Sequence, residues 1–212
     1  MLEQQSSPAK RGPKPRIDLD AVLDAAGALP VEGLTMAAVA ARLGVSTPTL
    51  YGYVAGREAL LSALVQRLSA ALEPPDPGLP WQEWVHEFAK VYYAAVTDNP
   101  ILATPQAWTQ VGRAALHLIS TGHRVLRRDG FTDQQARALI GAAMSLAQSN
   151  AVASLTADPD ADQDTTGYDE DTLAFLTATY SGMTHEQFLE EQLELLLAGV
   201  GAGKPRSRRR RG

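Results

Sequence analysis

Residues 35–54 read TMAAVAARLGVSTPTLYGYV, and the fold is decided there. Thr35 can cap a helix, and Met36, Val39, Ala40 and Leu43 then fall at the spacing of one buried helical face. Gly44 stands where a left-handed residue would end that helix, and Val45 offers an apolar anchor in the turn. Ser46 or Thr47 can cap a third short helix, with Pro48 in its first turn, where a missing N–H costs little. That helix is expected over 47–54, with Leu50 and Val54 one turn apart and available to the core. Its other side chains point outward. Two short helices joined by a tight Gly turn, the second with a polar outer edge, form the unit that can lay a helix in the major groove of DNA.

Outward from this unit the pattern stays helical, and no run alternates with period two for long enough to argue a strand. Asp18 can cap a first helix with Val22, Ala25, Ala26 and Leu29 on its apolar face; Pro30 should end or distort it, and Gly33 permits the turn into Thr35. After Gly56 a long fourth helix places Leu61, Leu64, Val65 and Leu68 on one side and runs to the Pro74 to Gly78 break, the candidate domain joint. Trp81 to Val96 is amphipathic through Trp84, Val85, Phe88, Val91 and Tyr92. Ala107 to Arg128 is broken or marked at Gly112 and Gly122, and Thr132 opens a helix rich in Ala, Ser and Gly that should reach Leu155. Asp158 to Asp171 carries seven acids with Pro and Gly and reads as a solvated loop. A short helix over 172–180 and a last one over 184–198, striped by Leu189, Leu193, Leu196, Leu197 and Val200, complete an all-α chain.

The net charge of −5 is unevenly spread over the 212 residues. Residues 1–72 sum to +1, residues 73–203 to −12 and residues 204–212 to +6, so phosphate contacts should be confined to the two ends. Cysteine is absent, which excludes disulfides and thiolate chemistry. The polar, Pro- and Lys-rich start lacks the form of a secretory leader, and no stretch approaches the roughly 18 unbroken apolar residues of a membrane span, so a cytoplasmic protein without a membrane partner is expected.

The residues of the head resemble those of the tetracycline-repressor (TetR) family: Glu32-Gly33-Leu34-Thr35, Ala40, Leu43-Gly44-Val45, Pro48-Thr49-Leu50-Tyr51, Val54 and Glu58-Ala59-Leu60-Leu61. The resemblance spans about residues 18–64, less than a quarter of the chain. It implies a regulator, a repressor, that reads a palindromic DNA operator as a homodimer and is released by a small, largely apolar effector. The fold implied is a three-helix DNA-binding domain over 17–62, joined by the fourth helix to a larger helical domain over 63–203 for ligand binding and dimerisation. Thr47, Pro48 and Thr49 would meet base edges; Thr35, Tyr51, Tyr53 and Arg57 would meet phosphates. Some positions depart from the family. Arg57 replaces a usual Lys and Val54 a frequent Phe; Ala37 and Gly52 stand where tetracycline repressors have a base-reading Arg and a larger aromatic, so the operator is not theirs.

Within the body, Trp84, Phe88, Tyr92, Trp108 and His117 are the candidate pocket residues, and core packing is the competing reading for each. The helices over 132–155 and 184–200 are the candidate dimer face, since two from each copy can form a four-helix bundle. Lys10, Arg11, Lys14 and Arg16 of a basic arm over 1–16 have the composition of a minor-groove arm and equally of a flexible leader; the basic tail over 204–212 is open in the same way. No catalytic constellation is recognisable, and His86, His117, His123 and His185 show no metal-ligand spacing, so neither enzyme activity, nor cofactor, nor metal is expected. A binding module with a vestigial head and a helical enzyme are the rival classes.

Overall fold

The computed structural model describes residues 17–104, 107, 115–157, 167, 169–180 and 182–202. The expected arm, tail and most of the acidic loop lie outside these residues, as do Gly112 and Trp108. Among the described residues the regular structure is helical and contains no strand.

The chain divides into two compact units, Met1–Leu64 and Val65–Gly212. The first holds α1 (Leu19–Gly27), α2 (Met36–Leu43), α3 (Thr47–Leu50) and the start of α4 (Arg57–Ala70). Asp18 caps α1 by accepting from the Ala21 N–H at 2.8 Å, and Thr35 caps α2 by accepting from the Ala38 N–H at 3.1 Å. Gly44 ends α2 at φ 66° and ψ 30°, a left-handed conformation that an L side chain resists. Val22, Ala26, Val39, Leu50 and Leu60 are wholly buried and form the centre of this small core. Leu29 and Leu43, expected on the inner faces, are only half-buried, while Leu23 and Leu34 are buried in full.

The second unit holds the rest of α4, then α5 (Trp81–Asp98), a 3-10 turn (Pro100–Ala103), α6 (Leu116–Arg128), α7 (Asp133–Thr156), α8 (Glu170–Tyr180) and α9 (His185–Ala202). The division falls inside α4, and the Pro74–Gly78 break lies within the second unit. That stretch is fastened to its neighbours: Trp84 Nε1 donates to the Pro75 carbonyl at 3.2 Å, and Arg128 donates to the carbonyls of Pro77 and Leu79 at 2.6 and 2.7 Å.

α7 is the central helix, packed against α5, α6 and α9. Its start is a capping box, with Thr132 Oγ1 accepting from the Gln135 N–H and Gln135 Oε1 from the Thr132 N–H. Asp133 beside it is held below the usual carboxylate range, first by its hydrogen bond with His123 and then by the charge of Arg127. By length and composition α7 is apolar enough to cross a membrane. One face of it packs on protein, with Ala136, Ala143, Ala147 and Ala151 completely covered, while Ala138 and Leu155 are exposed.

Gly122 does not break α6. The indole of Trp84 lies against it: a Cβ added there would stand 2.4 Å from Trp84 Cη2. α9 is tied down by Asn150 Nδ2 donating to Gln192 Oε1 at 2.7 Å and by the contact of His86 with Glu190.

Candidate nucleic-acid interface

α3 is a single turn, shorter than the expected 47–54 helix. Beyond Leu50 the chain winds on as a tight turn, with the Gly52 N–H donating to Thr49 O, Tyr53 to Leu50 O and Val54 to Leu50 O. A segment this short has little stability of its own. Leu50 and Val54, 0% and 7% exposed, hold it to the core, which leaves Pro48, Thr49, Tyr51 and Tyr53 on the outside and Thr47 half-covered. Tyr51 and Tyr53 are 56% and 40% exposed, the largest side chains of that edge.

Ser46 holds the N-cap position of α3 but caps no backbone N–H; its Oγ lies 2.8 Å from Thr49 Oγ1. The two hydroxyls share one hydrogen bond, so one proton of the pair remains to be donated elsewhere. Sequence reasoning considered Ser46 only as a cap, although its three-residue spacing from Thr49 was the available signal. Thr35 Oγ1 accepts within its own helix turn, which leaves its O–H free to donate outward. Arg57 donates through Nε to the carbonyl of Leu34 at 2.8 Å, joining the start of α4 to the residue before the α2 cap. The guanidinium has further N–H groups for a second acceptor. This surface is chemically a set of hydroxyl, phenol and guanidinium donors around one helical turn. It suits phosphate oxygens and base edges and offers no nucleophile and base in partnership.

In the body, Trp84, Phe88 and Tyr92 repeat along one face of α5 and are 0%, 0% and 2% exposed. Trp84 and Phe88 stack with centroids 5.2 Å apart, and burial pushes the Tyr92 phenol up to about 12. His117 lies apart from them, exposed on α6. The described grooves lie elsewhere. One of about 410 Å³ runs between α7 and α9, lined by Phe131, Ala138, Leu139, Ala142, Leu196 and Val200 with Gln135. Another of about 420 Å³ lies between α6 and α7, lined by Leu116, Ile119, Ile140 and Met144 with Arg137 at its edge. Among the described residues no group of three or more His, Asp or Glu is placed to hold a metal ion.

Residues 19–64 match the family of bacterial regulatory proteins of the tetR type. The HTH-type transcriptional repressor DrrR1 of Streptomyces coeruleorubidus is 34% identical over 134 residues, 59% of this chain and 49% of that protein. The chain spans about half the length of the curated relatives it matches. Among solved structures, apo ActR from Streptomyces coelicolor matches with a TM-score of 0.71 at 19% identity, over 88% of this chain and 96% of that one. A TetR variant from Acinetobacter baumannii AYE in complex with minocycline matches with 0.68 at 21% identity, over 88% and 98%. At these identities the likeness is one of fold. Residues 19–64 thus match the tetR family, and the helical fold of the described residues is shared with these solved structures.

Proposed function

We propose that this chain is a regulator of transcription, a repressor, that binds a palindromic operator as a homodimer and leaves it when a small, largely apolar effector binds the body. The observation that carries the reading is the outer edge of α3: Thr47, Pro48 and Thr49 stand at its N-terminal end and Tyr51 and Tyr53 beside it, while Leu50 and Val54 anchor the turn from within. Thr47, Pro48 and Thr49 discriminate bases; Thr35, Tyr51, Tyr53 and Arg57 position the head on phosphates. The protein acts in the cytoplasm, without a membrane partner and without catalysis.

The second copy packs along α7 and α9, where the apolar groove and Leu195, 76% exposed, present uncovered surface. Two half-sites are read together only when the two α3 segments stand about 34–36 Å apart. An effector that favours another spacing weakens operator binding through its differential affinity for the two states. α4, with residues on both sides of Leu64, is the connecting element.

Selection of bound sequences from random duplexes tests the reading. An inverted repeat is expected. On that site Thr49→Ala should relax one base position by about 1–3 kcal/mol, and Tyr51→Phe should weaken all sequences alike. If both variants bind with unchanged affinity and preference, the head does not read DNA through this edge.

A further inference from the structure

Among the described residues, two buried side-chain polar atoms meet no hydrogen-bond partner: Ser69 Oγ and Gln148 Oε1. A serine hydroxyl can rotate, so Ser69 carries little. Gln148 is different. It lies on the buried side of α7, 3% exposed, in a stretch whose other covered positions are Ala143, Ala147, Asn150, which donates to Leu146 O and Gln192 Oε1, and Ala151. Its Nε2 donates to the carbonyl of Leu102 in the 3-10 turn at 3.3 Å. Reversing the amide would set oxygen against oxygen, so that carbonyl fixes Oε1 as an acceptor with no protein donor.

A buried acceptor left unmet is costly, and a methionine of similar volume would avoid the cost. The amide therefore has the character of a site for a donor brought from outside the chain. Its setting is otherwise apolar: α5, whose inner face carries Trp84, Phe88 and Tyr92, packs on α7, and the 3-10 turn packs on both.

We propose that Gln148 Oε1 is the polar anchor of the effector site and selects a small, neutral, largely apolar molecule bearing a hydroxyl or N–H donor. Ethers, ketones and carboxylate anions present only acceptors to it and are disfavoured. This rests on the reading that the body receives an effector.

The test uses the full chain and a pair of probes, 2-naphthol and 2-methoxynaphthalene, in which a methyl group replaces the donor hydrogen. Calorimetric titration should show 2-naphthol binding about tenfold more tightly, the scale of one hydrogen bond. In Gln148→Met the two should bind within about twofold of each other, with the melting temperature unchanged or raised. In the wild-type chain the side-chain amide resonances of Gln148 should shift with 2-naphthol and not with its methyl ether, a readout that does not depend on the variant folding. Equal affinity for the two probes, a preference that persists in Gln148→Met, or no binding of 2-naphthol would each overturn the proposal. Operator selection is read on DNA alone, so failure there leaves the probe result standing, and the reverse holds too.

Discussion

Gly122→Ala places a methyl group where the edge of an indole already lies. The new Cβ would stand 2.4 Å from Trp84 Cη2, 2.5 Å from Cζ3 and 3.1 Å from Ile140 Cδ1. Carbon atoms rest at about 3.5–4.0 Å, so the indole would have to withdraw by roughly 1 Å. It has little freedom to do so: Trp84 is fully buried, stacks on Phe88 and donates through Nε1 to the Pro75 carbonyl. Alanine within a helix gains about 0.8–1.0 kcal/mol over glycine. Overpacking costs about 1–3 kcal/mol. The overlap is severe, so the upper end applies and the net loss is about 1–2 kcal/mol, or about 2–8 °C in melting temperature. Urea unfolding followed by tryptophan fluorescence measures it. Trp84→Phe removes the clashing atoms, and in that background Gly122→Ala should lose its penalty, a coupling of about 1 kcal/mol or more in a double-mutant cycle. A Gly122→Ala protein as stable as the parent, or an undiminished loss beside Trp84→Phe, refutes the packing argument.

Burial raises the Tyr92 phenol from 10.0 to about 12, so its contribution to stability is whole below pH 10 and is lost as pH rises from 10 to 12. The loss totals about 2–3 kcal/mol. Tyr92→Phe should flatten this part of the alkaline denaturation curve, and superimposable curves would contradict it. At Gly44 the φ of 66° makes alanine cost about 1–2 kcal/mol of stability in the head, although there is open space for its methyl. Thermal unfolding checks this, with Gly44→Asn losing less than Gly44→Ala. Ala142→Glu sets a charge in the groove between α7 and α9 and should shift sedimentation from dimer toward monomer; an unaltered dimer would place the second copy elsewhere.

What could be read beforehand follows the range of the interaction that decides it. The starts of α1, α2 and α7 depend on Asp18, Thr35 and Thr132, each acting on an N–H three residues away, and all three were legible. The outward residues of α3 were legible as well, because Leu50 and Val54 fix the phase of a single turn. The division inside α4, between Leu64 and Val65, lies two residues from the boundary that the resemblance implies, although Leu60, Leu61, Leu64 and Val65 are all buried and show no break there. Gly122 looked like a break because its partner Trp84 lies on another helix. Gln148 passed unnoticed within its alanine-rich surroundings, since only the Leu102 carbonyl shows which way the amide faces. The Ser46 and Thr49 pair was missed for a simpler reason: two hydroxyls can each choose among several local acceptors.

The brevity of α3 has a practical consequence for anyone wishing to redirect the head. Since Leu50 and Val54 do the anchoring, the outward letters at 48, 49, 51 and 53 can be randomised together as a library without dismantling the scaffold beneath. If this edge reads DNA as proposed, new specificities would emerge from a handful of interchangeable codons. Substitutions at buried Val22 or Val39 would instead disturb the whole head, although neither side chain reaches its surface.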